Sequence, residues 1–112
     1  MYIEQHSRYQ NKANNIQLRY DDKQFHTTVI KDVLLWIEHN LDQSLLLDDV
    51  ANKAGYTKWY FQRLFKKVTG VTLASYIRAR RLTKAAVELR LTKKTILEIA
   101  LKYQFDSQQS FT

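Results

Sequence analysis

Two glycines, Gly55 and Gly70, fence off the stretch TKWYFQRLFKKVT at residues 57–69, and they constrain this chain's fold more than any other feature. Glycine is the residue that most readily ends a helix in the left-handed conformation. Ahead of Gly55 runs LDDVANKA, a short amphipathic segment with Asp48 and Asp49 in its first turn, where the helix dipole favours negative charge. That placement explains the acid pair without any catalytic role. After Gly55, Thr57 supplies a hydroxyl of the kind that caps a helix N-terminus. Helix, glycine turn, helix: the spacing predicts a helix-turn-helix whose second helix stops at Gly70.

That second helix has two unlike faces. Stepped round the helix from Trp59, residues Phe61, Leu64, Phe65 and Val68 cluster at about 140–240° and form an apolar face. Gln62, Arg63 and Lys66 lie within about 60° of Trp59 on the opposite side. One exposed aromatic is ordinary. An indole set among an amide and two cations reads instead as a surface aimed at a partner.

The charge pattern points to the same partner. The 112 residues allow one domain or two very small lobes, and 45% hydrophobic content is enough for a core. Lys and Arg number 18 against 11 Asp and Glu, a net +7, so a polyanion is the default partner. Residues 57–94 hold eleven cations against one acid, Glu88, whereas residues 28–56 hold two cations against five acids. A charge run alone is usually a solvated face. The aromatic and amide residues interleaved here argue for more.

Other classes find little support. The absence of cysteine excludes a disulfide framework and Cys-ligated zinc, and fits a reducing cytoplasm. No stretch approaches the roughly 18 apolar residues of a membrane span. The opening MYIEQHSRYQNKANN lacks the apolar region of a secretion signal. His6, His26 and His39 lack metal-ligand spacing, and no Ser-His-Asp set, Gly-rich phosphate loop or thiol is present. The sequence therefore predicts no enzyme, no catalytic residue, no metal and no other cofactor.

Residues 1–26 are polar and show no sustained period, so they read as a mobile arm, helical at most in part. From Thr28 the pattern changes: Val29, Ile30, Val33, Leu34, Trp36, Ile37 and Leu41 share one arc of a helix ending near Leu41. Downstream, Thr72 caps a fourth helix from Leu73 to Leu91, with Tyr76, Ile77, Leu82, Ala86 and Leu89 as its apolar contacts. The pattern then repeats. LEIALKYQFDSQQSF at 97–111 echoes LDDVANKAGYTKWYF at 47–61, with the second turn one residue longer. Gln104 replaces the turn glycine, so a left-handed turn there uses a costlier residue. The expected fold is all-α: an arm at 1–26, then two helix-turn-helix units (about 47–69 and 96–112) joined by a linker helix at about 73–91, within a domain spanning 27–112. The second unit ends at Thr112, about five residues into its second helix, and reads as incomplete, with C-terminal residues missing.

The segments WIEHNLDQSLLLDDVANKAGYTKWYFQRLFKKVTG, SYIRARRL and LEIALKYQFDSQQSF together resemble the AraC/XylS family of bacterial transcription activators, most of all its small single-domain branch of the MarA type. The likeness covers about residues 28–112. It implies a monomer that binds an asymmetric double-stranded DNA site, sets two recognition helices in successive major-groove segments, and contacts RNA polymerase. It implies base contacts from Trp59, Gln62 and Arg63 in the first unit and from Gln108, Gln109 and Thr112 in the second. Leu46 stands where relatives carry a capping serine, and Tyr60 where some carry histidine.

The residue chemistry agrees independently. Arg pairs with guanine O6 and N7, and Gln with adenine N6 and N7. Lys58, Tyr60, Lys66, Lys67, Arg78, Arg81 and Lys84 are the candidates for phosphate contacts that set register. No ligand-sensing domain fits in the arm, so activity is expected to follow protein abundance, in the cytoplasm on the bacterial nucleoid. The competing class is a non-enzymatic basic interaction module, an anti-activator or RNA binder, that never reads bases.

Overall fold

The computed structural model describes residues 16–105, with side chains from residue 23 onward, and among these residues it is all-α. Five helices follow in order: α1 Ile16–Glu38, α2 Leu47–Ala54, α3 Lys58–Thr69, α4 Leu73–Leu91 and α5 Ile96–Lys102.

The first helix differs from the sequence expectation. It runs unbroken through the position 26/27 boundary and begins at Ile16, not at Thr28. The segment 16–27 has neither glycine nor proline to stop a helix. Its sparse apolar residues hid the period, and tertiary contacts supplied what periodicity lacked: Phe25 packs on the core and His26 is buried. Farther along, Val29, Ile30, Val33 and Ile37 are buried at helical spacing, with Leu34 and Trp36 partly covered. Asn40 Nδ2 donates to Trp36 O at 2.7 Å, and the chain turns away at Leu41, which is itself buried.

α2 starts without a side-chain cap at Leu46. Gly55 ends it at φ 85°, with the Tyr56 N–H donating to Ala51 O at 3.0 Å. α3 is capped by Thr57, whose hydroxyl accepts from the Tyr60 N–H at 3.3 Å, and it ends at Gly70, also at φ 85°. Its cations Lys66 and Lys67 occupy the last turn, where the helix dipole favours them. Phe61 and Phe65 are fully buried, their rings 5.8 Å apart, and Phe65 meets Tyr76 of α4 edge-on at 5.8 Å. The two phenylalanines form the centre of a core that α1, α2 and α4 close around α3.

α4 starts at the Thr72 cap, whose hydroxyl accepts from the Ser75 N–H at 3.2 Å. It packs on α3 at one end and α5 at the other. Leu73 and Ile77 are buried and Tyr76 partly so. Leu82, Ala86 and Leu89, expected as apolar contacts, are exposed. They lie in the half of α4 that packs on the short helix α5.

Candidate nucleic-acid interface

The interface is built on α3. The helix buries Phe61 and Phe65 completely while Trp59 stays 68% exposed, which fixes its rotation about its own axis. Gln62, Arg63, Lys66 and Lys67 are exposed with it. Among the described residues, Arg63, Lys66 and Lys67 form no ion pair, so their charge is available to an outside anion. Lys58 Nζ sits 5.2 Å from the centroid of the Trp59 ring and 3.6 Å from Asp48 Oδ1. Both partners of that pair are well exposed, so the pair is weak. Gln62 borders a cleft floored by Leu45, Leu73 and Ile77, which puts it on the α4 side of the surface.

The cations of α4 divide differently from the sequence expectation. Arg81, expected as a phosphate contact, also binds within the fold: its Nε donates to Leu41 O at 2.9 Å and its Nη2 to Gln43 O at 2.6 Å. The guanidinium caps the turn after α1, and burial lowers its pKa. Lys84 lies 3.4 Å from Glu38 Oε2, a carboxylate that Arg80 already grips through Nε at 3.0 Å and Nη2 at 2.8 Å. The Arg80 hydrogen bonds hold the Glu38 carboxyl below its usual range. Arg78 is exposed. Charge counting missed this clamp because it treats every cation as solvated; nothing local links Glu38 to Arg80.

In the second unit, α5 begins with a capping box, which the Thr95…Glu98 spacing signals in the sequence. Thr95 Oγ1 accepts from the Glu98 N–H at 3.0 Å, and Glu98 Oε1 from the Thr95 N–H at 2.7 Å. Ile99 and Tyr103 are buried. Gln104 adopts φ 66°, the left-handed turn without glycine, and its side chain donates to Asp42 O at 3.0 Å. Glu88 ties α5 to α4. Its carboxylate accepts from Lys102 Nζ at 2.8 Å, Lys94 Nζ at 3.3 Å and the Tyr103 hydroxyl. Lys102 foremost, then Tyr103, lower its pKa to about 2. Gln108, Gln109 and Thr112 lie outside the described residues. Among the described residues no cluster of three His, Cys, Asp or Glu could hold a metal, and no helix is long and apolar enough to cross a membrane.

A capped helix with a buried aromatic face and a basic, indole-bearing outer face, set behind a glycine turn, defines a helix-turn-helix recognition unit. The chain belongs to the AraC family of helix-turn-helix proteins. Residues 50–112 match the family described as "Helix-turn-helix domain". The chain is 98% identical over 112 residues to the Transposon Tn10 TetD protein of Escherichia coli, covering 100% of this chain and 81% of that one. It is 63% identical over 84 residues to the Right origin-binding protein of Escherichia coli strain K12, covering 75% of this chain and 29% of that one. It is also 51% identical over 100 residues to the HTH-type transcriptional activator AarP of Providencia stuartii, covering 88% of this chain and 74% of that one.

Proposed function

We propose that the chain is a sequence-specific, DNA-binding transcription activator, non-enzymatic and cytoplasmic, that binds an asymmetric site as a monomer and contacts RNA polymerase. The observation that carries this reading is the outer face of α3, where Trp59, Gln62 and Arg63 stand exposed over a fully buried Phe61–Phe65 face. Arg63 and Gln62 offer the bidentate donors that read guanine and adenine in a major groove, and Trp59 offers an apolar plane for thymine methyls. Gln108, Gln109 and Thr112 are assigned the same task in the second unit. α4, 19 residues long, spans about 28 Å, which suits two recognition helices roughly one DNA turn apart. Lys58, Tyr60, Lys66, Lys67, Arg78 and Lys84 are assigned to phosphates, which set register without reading sequence.

The purely electrostatic reading loses some ground because Arg80 and Arg81 turn donors onto Glu38 and onto the Leu41 and Gln43 carbonyls. A mobility-shift titration against unrelated competitor duplex tests the proposal. A sequence preference that survives competitor supports base readout. An affinity governed by salt alone, equal on all duplexes, would replace the proposal with a basic module that does not read bases.

A further inference from the structure

Three consecutive carbonyls in the loop after α1 are held by side chains from far along the chain. Arg81 of α4 takes two of them, Leu41 O at 2.9 Å and Gln43 O at 2.6 Å. Between these, Gln104 donates from Nε2 to Asp42 O at 3.0 Å, across 62 positions. Leu41 is buried, so the loop is also anchored in the core. Gln104 occupies the place in the second unit that Gly55 holds in the first, and both are left-handed, at φ 66° and 85°. That backbone favours glycine, and a side chain there carries strain. Glycine would make the turn at less cost but could not reach Asp42.

We infer that Gln104 is a positioning residue for DNA binding: with Arg81, it latches the turn of the second unit onto the α1–α2 loop and so fixes the spacing at which the chain reads the two halves of its site. The inference rests on the DNA-binding reading above. Packing of α5 on α4 and the Glu88 carboxylate hold the second unit to the connector helix. The Gln104 bond reaches past that helix to the first unit. Attachment both on the connector and off it resists the rotation that a single joint permits. Inserting one base pair between the half-sites moves the second by about 3.4 Å and turns it by about 35°, which a latched chain follows poorly.

The test uses the full 112-residue chain on a duplex it selects from a random pool, and on the same duplex with one base pair inserted between the halves. Thermal melts confirm that each variant is folded. The wild type should lose affinity on insertion. Gln104→Gly relaxes the backbone, and Gln104→Glu keeps the side-chain length without a donor. Each should reduce the discrimination between the two spacings roughly fivefold, the worth of one hydrogen bond, while base preferences within each half stay as in the wild type. Because the chain has no cysteine, Asn52→Cys on α2 and Leu101→Cys on α5, both at exposed positions, take a pair of spin labels. Their distance distribution without DNA should be narrow, and Gln104→Gly should broaden it. Wild-type discrimination in either folded variant, or a distribution that does not broaden, would overturn the inference and leave the DNA reading standing. A wild type that bound both spacings equally would overturn the spacing role together with the reading of two successive grooves.

Discussion

Arg80 grips Glu38 with Nε at 3.0 Å and Nη2 at 2.8 Å, and so fastens the connector helix to the C-terminal end of α1. Because α3 is packed between these two helices, the clamp sets how the recognition surface sits on the rest of the fold. Both side chains are partly exposed, so Glu38→Gln should cost only about 1 kcal/mol. Urea denaturation measures it. A cost within noise would show that the core alone holds α4 in place.

The exposed indole and the buried phenylalanine of α3 predict opposite phenotypes. Trp59→Ala should change stability by less than about 0.5 kcal/mol while weakening specific DNA binding. Phe65→Ala should cost roughly 3–5 kcal/mol through loss of the core. Thermal melts beside binding titrations separate the two. Unfolding by Trp59→Ala would mean that α3 is rotated from the orientation described.

Arg81 and Lys66 should part company in the same way. Lys66→Ala should weaken all duplexes alike and make the salt slope shallower by about one. Arg81→Ala should chiefly lower stability, because it leaves the Leu41 and Gln43 carbonyls without their guanidinium partner. A full unit of salt slope lost by Arg81→Ala, with stability intact, would return Arg81 to the phosphate-contact set.

Glu88 gives the second unit an acid limit. Its carboxyl titrates at about 2 in the folded chain against an ordinary value of 4.5. Between those values the unfolded chain takes up a proton that the folded chain refuses. The contribution is therefore complete above about pH 4.5 and fades as pH falls toward 2. Comparing melting temperature against pH for the wild type and Glu88→Gln isolates this group from Glu38 and Glu98, which are also held low. Curves that stay parallel below pH 4.5 would remove Glu88 from the account.

What was legible in the sequence was what local chemistry decides. Thr57 and Thr72 declare themselves as caps by a hydroxyl before an apolar period, and Gly55 and Gly70 by their freedom at positive φ. Trp59 was legible because a 3.6-residue period assigns every residue of α3 to one face or the other. The start of α1 was not, since its added length is held by His26 and Phe25 meeting residues far along the chain. Nor was the fate of Arg81, whose partners lie 40 and 38 positions away. Long-range pairing leaves no mark on local period or composition.

The most direct measurement of the central claim is selection of bound duplexes from a randomised DNA pool, run side by side with the wild-type chain and Arg63→Ala. If α3 reads base edges, the wild type enriches a defined asymmetric site. Arg63→Ala should then lose about 1–3 kcal/mol on it and flatten the preference at one or two positions while keeping the rest. An equal loss on the selected site and on random duplex, with the preference unchanged at every position, would contradict base reading by Arg63 and by the face of α3 that carries it.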